Sequence, residues 1–249
     1  MQSTELDERV AERAAAGGAE KRAYVRTIFS EIAPRYDLLN HLLSLNVDKG
    51  WRRRAIAALD VARRPDGVYH DLCAGTLDVG AQLLRQPGFA GHVVGADFAE
   101  PMLRAGAGKA PAGRLSPVTA DALELPLASA SVAGAVVAFG IRNVQDLDAG
   151  LREVLRVLRP GGRFVILEFS TPRSTLVRFG YGLYSKYVLP TVGRLVSGHR
   201  TAYTYLPASI ARFPEAEPLA ERMRAAGYHD VRWQALTFGI AAVHVGEKR

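Results

Sequence analysis

Apolar positions Tyr24, Ile28 and Ile32 recur every four residues between Glu20 and Ile32, which is the spacing of one helical face. Pro34 interrupts that helix, a second is expected from near Tyr36 ("YDLLNHLLSL"), and a third from about Lys49 to Val61 around Trp51, Ile56 and Leu59. Residues 1–18 read as a polar arm that breaks at Gly17-Gly18. The rhythm then changes. "GVYHDLC", "HVVGADF", "LSPVT", "SVAGAVVAFGI" and "RFVILEF" are short apolar runs, and the helical patterns "LDVGAQLL", "EPMLRAGAGKA" and "DLDAGLREVLRVLR" fall among them, the last ended by Pro160-Gly161-Gly162. Such alternation predicts an α/β fold with a mostly parallel sheet covered on both faces. A helix over about 215–226, closed by Gly227, and two alternating runs, "HDVRWQALT" and "GIAAVHVGEK", complete the chain as an expected antiparallel hairpin. The expected division is an arm and helical extension over 1–62 and a core over 63–249, with an insertion at about 171–213, all within one structural domain.

Composition narrows the class. The 249 residues are 48% hydrophobic and 23% charged, as in a soluble globular protein. A single cysteine, Cys73, excludes an internal disulfide and a cysteine zinc cage and suits a reducing compartment. Residues 1–23 lack the apolar segment of a signal peptide, and the uncharged stretch 125–141 falls short of a membrane span, so a cytoplasmic location is expected. The six histidines lack metal-ligand spacing, and no metal is expected. Cys73, Trp51 and Trp233 are read as packing residues. The net charge of +7 sits mainly in one interval: no acid occurs between Glu168 and Glu215, whereas Arg173, Arg178, Lys186, Arg194, Arg200 and Arg212 do, together with eight of the twenty aromatics.

In an open parallel sheet the ligand lies over the carboxyl ends of the central strands. Residues 71–78, then Asp97, then Asp121-Ala122, then Phe139 to Asn143 follow successive predicted strands and converge on one crevice. The first of these turns carries only Gly75, and Leu77 stands where a dinucleotide pyrophosphate approaches the backbone. That favours S-adenosylmethionine, which has no phosphate, over NAD. A plain structural turn is the competing reading, because short glycine motifs are unspecific.

Longer stretches carry more. "YDLLNHLLSLNVDKGW" (36–51), "FGIRNVQDLDAGLREVLRVL" (139–158), "RVLRPGGRFVILEFS" (156–170) and "YTYLPASIARFP" (203–214) resemble the hallmark segments of the menaquinone/ubiquinone-biosynthesis C-methyltransferase family. The resemblance runs from about Val25 to His244. It implies a Rossmann-like class I S-adenosylmethionine-dependent methyltransferase with a seven-stranded sheet, and C-methylation of a polyprenylated quinol. It implies cofactor contacts at Thr76, Asp97, Asp121, Ala122 and Ala138, besides Gly75. Leu77, Asn46, Asp48 and Arg159 depart from the family's usual residues.

The chemistry needs a deprotonated quinol held in line with a sulfonium methyl and shielded from water. Arg142 is expected to stabilise the phenolate and Asn143 to orient the hydroxyl, with Asp37 and Tyr36 relaying the proton. A salt bridge from Arg142 to Asp146 or Asp148, and capping or packing roles for Asp37 and Tyr36, are the structural alternatives. The expected substrate is demethylmenaquinol, with the ubiquinone-pathway benzoquinol as the alternative. A nucleic-acid methyltransferase and a non-catalytic cofactor-binding module are the rivals from other classes. No nucleic acid is expected as partner, since no "NPPY"-like signature occurs. A homo-oligomer is left open. The basic, aromatic interval suggests peripheral contact with the anionic inner face of a membrane, or a basic lid over the quinol pocket.

Overall fold

The computed structural model describes residues 19–184, 187 and 201–249. The polar arm, Lys186, Arg194 and Arg200 therefore lie outside the described residues. Three helices come first: α1 (Ala19–Ile32), α2 (Tyr36–Leu43) and α3 (Val47–Leu59), with a tight turn at Ala33–Arg35 where Pro34 stops α1. The α/β part follows as β1 (Val68–Leu72), α4 (Asp78–Leu84), β2 (His92–Asp97), α5 (Glu100–Ala105), β3 (Leu115–Thr119), β4 (Val132–Ala138), α6 (Leu147–Val157) and β5 (Leu158–Phe169). Then come α7 (Thr175–Leu183), α8 (Thr201–Arg212), α9 (Ala216–Ala225), β6 (His229–Leu236) and β7 (Ala241–Glu247).

The seven strands lie in the order β3-β2-β1-β4-β5-β7-β6. β1 to β5 pair in parallel, and β7 enters antiparallel between β5 and β6. Alternation along β5 shows how the sheet divides two cores. Val165 and Leu167 point to the face covered by Ile56 and Leu59 of α3 and Val79 and Leu83 of α4. Phe164 and Ile166 point to the other face, against Leu151 and Val154 of α6 and Leu219 and Met223 of α9. The Asp146 carboxylate caps α6 by accepting the Ala149 N–H at 2.9 Å.

Two details differ from the sequence expectation. The helix expected over 100–110 stops at Ala105, because Gly106 and Gly108 follow it and Gly108 takes the left-handed backbone. Pro160-Gly161-Gly162 does not simply separate helix from strand. Val132 pairs with Leu158 and Gly134 with Arg163, so residues 159–162 bulge from a strand that has already begun.

Candidate functional site

The strand order reverses direction between β1 and β4, and the crevice at such a switch point is where open α/β sheets hold ligands. The backbone is bent sharply there. Cys73, just after β1, and Phe139, just after β4, take φ of 51° and 61°, as does Leu77 at 65°, which is strained geometry for residues with a side chain. Two adjoining cavities open at these strand ends.

The first lies over β1, β2 and β4. Gly75, Asp97, Asp121, Ala122 and Ala138 line it, as the sequence suggested, and so do Phe98 and Met102. Gly75 has φ +52°, and the turn it makes lets its N–H donate to Asp97 Oδ2 at 2.9 Å while Ala99 N–H donates to Oδ1. Burial pushes the Asp97 carboxyl up, against the pull of these backbone donors. Arg22 of α1 reaches across to Asp121 at 3.0 Å. The cavity holds about 50 Å³, and Arg22, Phe29 and Tyr36 of the N-terminal helices also line it.

Leu77 does not intrude. Its side chain is buried on the far side of the turn with Ala74 and Leu103, over Gly95, where an added Cβ would stand 2.6 Å from a Leu77 methyl. Gly95 makes room for the Leu77 side chain. Leu77→Gly is therefore expected to leave cofactor affinity within a few-fold. It should cost about 2–4 kcal/mol of stability, a buried leucine less the relief of left-handed strain. Calorimetry and urea unfolding on one sample read both numbers; a collapse in affinity with stability intact would put Leu77 on the ligand.

The second cavity is apolar and larger, about 420 Å³, within the roughly 300–1,000 Å³ range of small-molecule sites. Phe29, Tyr36 and Phe139 border both cavities. Trp51, Phe139 and Phe169 pack together along one wall, with ring centroids 4.7–6.3 Å apart. Val177, Tyr181 and Tyr184 of the α7 region and Tyr205, Leu206 and Ile210 of α8 close other sides.

The proposed catalytic groups fall differently from the expectation. Arg142 borders the second cavity, but it is not a free cation. Its Nη1 pairs with Glu168 Oε1 at 2.8 Å and also donates to the Phe139 carbonyl, and the guanidinium lies over the Phe169 ring. Neither Asp146, which caps α6, nor Asp148, which pairs with Arg222, is its partner. Burial pushes Glu168 up and Arg142 opposes the shift. Asn143 borders the first cavity and not the second, with Oδ1 accepting the Tyr205 hydroxyl at 3.1 Å.

Thr76 and Asp37 border neither cavity. The Thr76 hydroxyl donates to Asp37 at 2.5 Å, and Asp37 is also bound by Lys109. Lys109 continues to Asp78 at 2.6 Å, Asp78 to Arg52 at 2.8 Å, and Arg52 to Asp48 at 3.3 Å, which His41 and Ser44 also contact. Burial acts to raise the Asp78 carboxyl, but Lys109 and Arg52 outweigh it and hold it below its usual range. Tyr36 does stand between the cavities, and burial raises its phenol, so it keeps its proton at neutral pH.

Asp48 is what the sequence reading missed. Among the described residues lining the second cavity it is the one carboxylate, and its side chain is 5% exposed. Its signal was present as an acid that departs from the family's usual residue within "LNVDKGW". Glu168 had a signal too: an acid inside the otherwise apolar strand "RFVILEF" needs a partner.

Comparison with known proteins adds to this geometry. Residues 18–248 match the model of the ubiE/COQ5 methyltransferase family. A demethylmenaquinone methyltransferase of Deinococcus radiodurans is 49% identical over 92% of this chain and 95% of its own. One from Thermus thermophilus is 47% identical over 89% of this chain and all of its own. A ubiquinone/menaquinone biosynthesis C-methyltransferase of Geobacter sulfurreducens is 44% identical over 92% and 90%. Among solved structures, a SAM-dependent methyltransferase of Thermotoga maritima superposes with a TM-score of 0.62 at 18% identity, covering 90% of this chain and 99% of that one.

Proposed function

The chain belongs to the ubiE/COQ5 methyltransferase family, and from that premise we propose that it methylates a ring carbon of a prenylated naphthoquinol, demethylmenaquinol, using S-adenosylmethionine. The observation that carries this reading is the pair of adjoining cavities. One is bordered by Gly75 and the strand-end carboxylates Asp97 and Asp121, suited to a nucleoside without phosphates. The other is apolar and shares Phe29, Tyr36 and Phe139 with the first.

Bound in the first cavity, S-adenosylmethionine supplies an electrophilic methyl on a sulfonium. Gly75, Asp97, Asp121, Ala122 and Ala138 would hold it, with Thr76 supporting the turn from behind. In the second cavity Asp48 takes the proton of the quinol hydroxyl, since among the described residues it is the carboxylate lining that cavity, whereas Asp37 lines neither. Tyr36 donates a hydrogen bond to the phenolate oxygen so formed. Arg142, held by Glu168, presents positive charge to the same cavity, and the aromatic wall excludes water.

Methyl transfer from labelled S-adenosylmethionine, offered short-chain demethylmenaquinol, the corresponding ubiquinone-pathway benzoquinol and bulk RNA, tests the assignment. Label in the naphthoquinol is expected. The benzoquinol is included because the Geobacter relative's name spans both quinones. Label in RNA alone would sink the proposal. Calorimetry should show S-adenosylmethionine binding and no NAD binding, and Asp97→Ala should weaken the former by about 1.5–3 kcal/mol, the size of a lost charge-assisted hydrogen bond.

A further inference from the structure

Three segments that line the apolar cavity on their inner sides carry large apolar residues on their outer sides. At the end of α2, Leu43 faces the cavity while Leu38 and Leu42 are exposed. On α7, Val177 and Tyr181 face it while Leu176 and Phe179 are exposed, and no residue of that helix is buried. Between β6 and β7, Thr237 and Ile240 face it while Phe238 is 82% exposed. Leu45 borders the cavity and is still 78% exposed.

Two of these exposed tips sit on strained backbone. Leu45 and Phe238 both lie in the left-handed region, at φ 51° and 57°. Neither has a glycine's freedom there, and backbone held in such a state clusters where function demands it. The segments adjoin, since the Tyr184 hydroxyl after α7 donates to the Leu43 carbonyl and Gly239 packs on Pro172 ahead of α7, and a monomer seldom exposes a large apolar patch unless something covers it.

We propose that this rim, formed by the α2 end, α7 and the Phe238 turn, docks on an anionic lipid bilayer, so that the cavity opens toward the lipid. Charge selects this occupant over a second copy of the chain. α7 lies in the stretch from Phe169 to Pro214 that has no acid, with Arg173 before it and Arg178 on it, and two such like-charged faces would repel each other. Basic residues beside apolar and aromatic ones are what an anionic membrane surface attracts. No helix among the described residues is long and apolar enough to cross a membrane, so the contact is peripheral. The inference rests on the quinol reading only for what enters the cavity; the docking itself does not depend on it.

The test uses the full chain and a triple variant, Leu38→Ser, Phe179→Ser and Phe238→Ser, none of which borders either cavity. Vesicles of phosphatidylcholine with and without phosphatidylglycerol are sedimented at low and high salt. The wild type is expected to sediment with the anionic vesicles, to release as salt rises, and to lose at least tenfold in bound fraction in the variant. Turnover of a short-chain, water-soluble quinol should stay within twofold, while turnover of a long-chain quinol held in vesicles falls at least tenfold. A wild type that stays in the supernatant, or a variant that sediments as before, overturns the proposal. So does a wild-type dimer that the variant turns into a monomer, because the rim would then join two copies. Anionic sedimentation without transfer to any quinol would retain the docking and refute the substrate assignment.

Discussion

Arg142→Ala is expected to unfold at much lower urea than the wild type, with about 3–5 kcal/mol of stability lost, before any effect on catalysis can be read. Glu168 is 1% exposed and Arg142 is its ion-pair partner, so truncating the arginine leaves a carboxylate buried without its counter-charge. The freed Phe139 carbonyl adds to the cost. A double variant, Arg142→Met with Glu168→Gln, removes both charges and should recover most of that stability. Its turnover then isolates what the guanidinium does for the quinol: a well-folded double variant with turnover near wild type would mean that Arg142 serves the fold alone. Should Arg142→Ala prove as stable as the wild type, the ion pair is not the structural element its burial indicates.

Asp48→Asn should lower kcat by about 10²- to 10⁴-fold, the usual worth of a positioned proton acceptor, with S-adenosylmethionine affinity changed less than threefold. Asparagine keeps the size of the side chain and can still accept from Ser44, but it cannot take a proton. Asp37→Asn should behave in the opposite sense. Asparagine keeps the acceptor for the Thr76 hydroxyl but loses the ion pair to Lys109 beside the cofactor turn, so cofactor affinity should fall up to about fivefold, with kcat nearly kept. Single-turnover rates and calorimetry on both variants separate the two roles. If Asp37→Asn were the one that lost kcat, the proton would leave by the cofactor side.

The features legible in the sequence are local ones. Apolar runs of strand length ending in Asp97, or running into Asp121, located both carboxylates at the crevice, because strand period and switch-point geometry follow from short patterns. The closing hairpin was legible for the same reason. Partnerships were not. Arg142 meets Glu168 from 26 positions away and Lys109 meets Asp37 from 72, and no spacing rule encodes contacts that exist only after the sheet has formed. Leu77 misled in a similar way. Its position in the turn was readable, but the direction of its side chain depends on Gly95 in a neighbouring strand.

The line of charges from Asp48 through Arg52, Asp78 and Lys109 to Asp37 and Thr76 joins the wall of one cavity to the turn of the other. Two sites that bias one such network obey reciprocity. Whatever factor cofactor occupancy imposes on quinol affinity, quinol occupancy must impose on the cofactor, with the same sign and size. A thermodynamic cycle measured with both ligands, repeated after Lys109→Met cuts the line in the middle, reads that shared factor as one number.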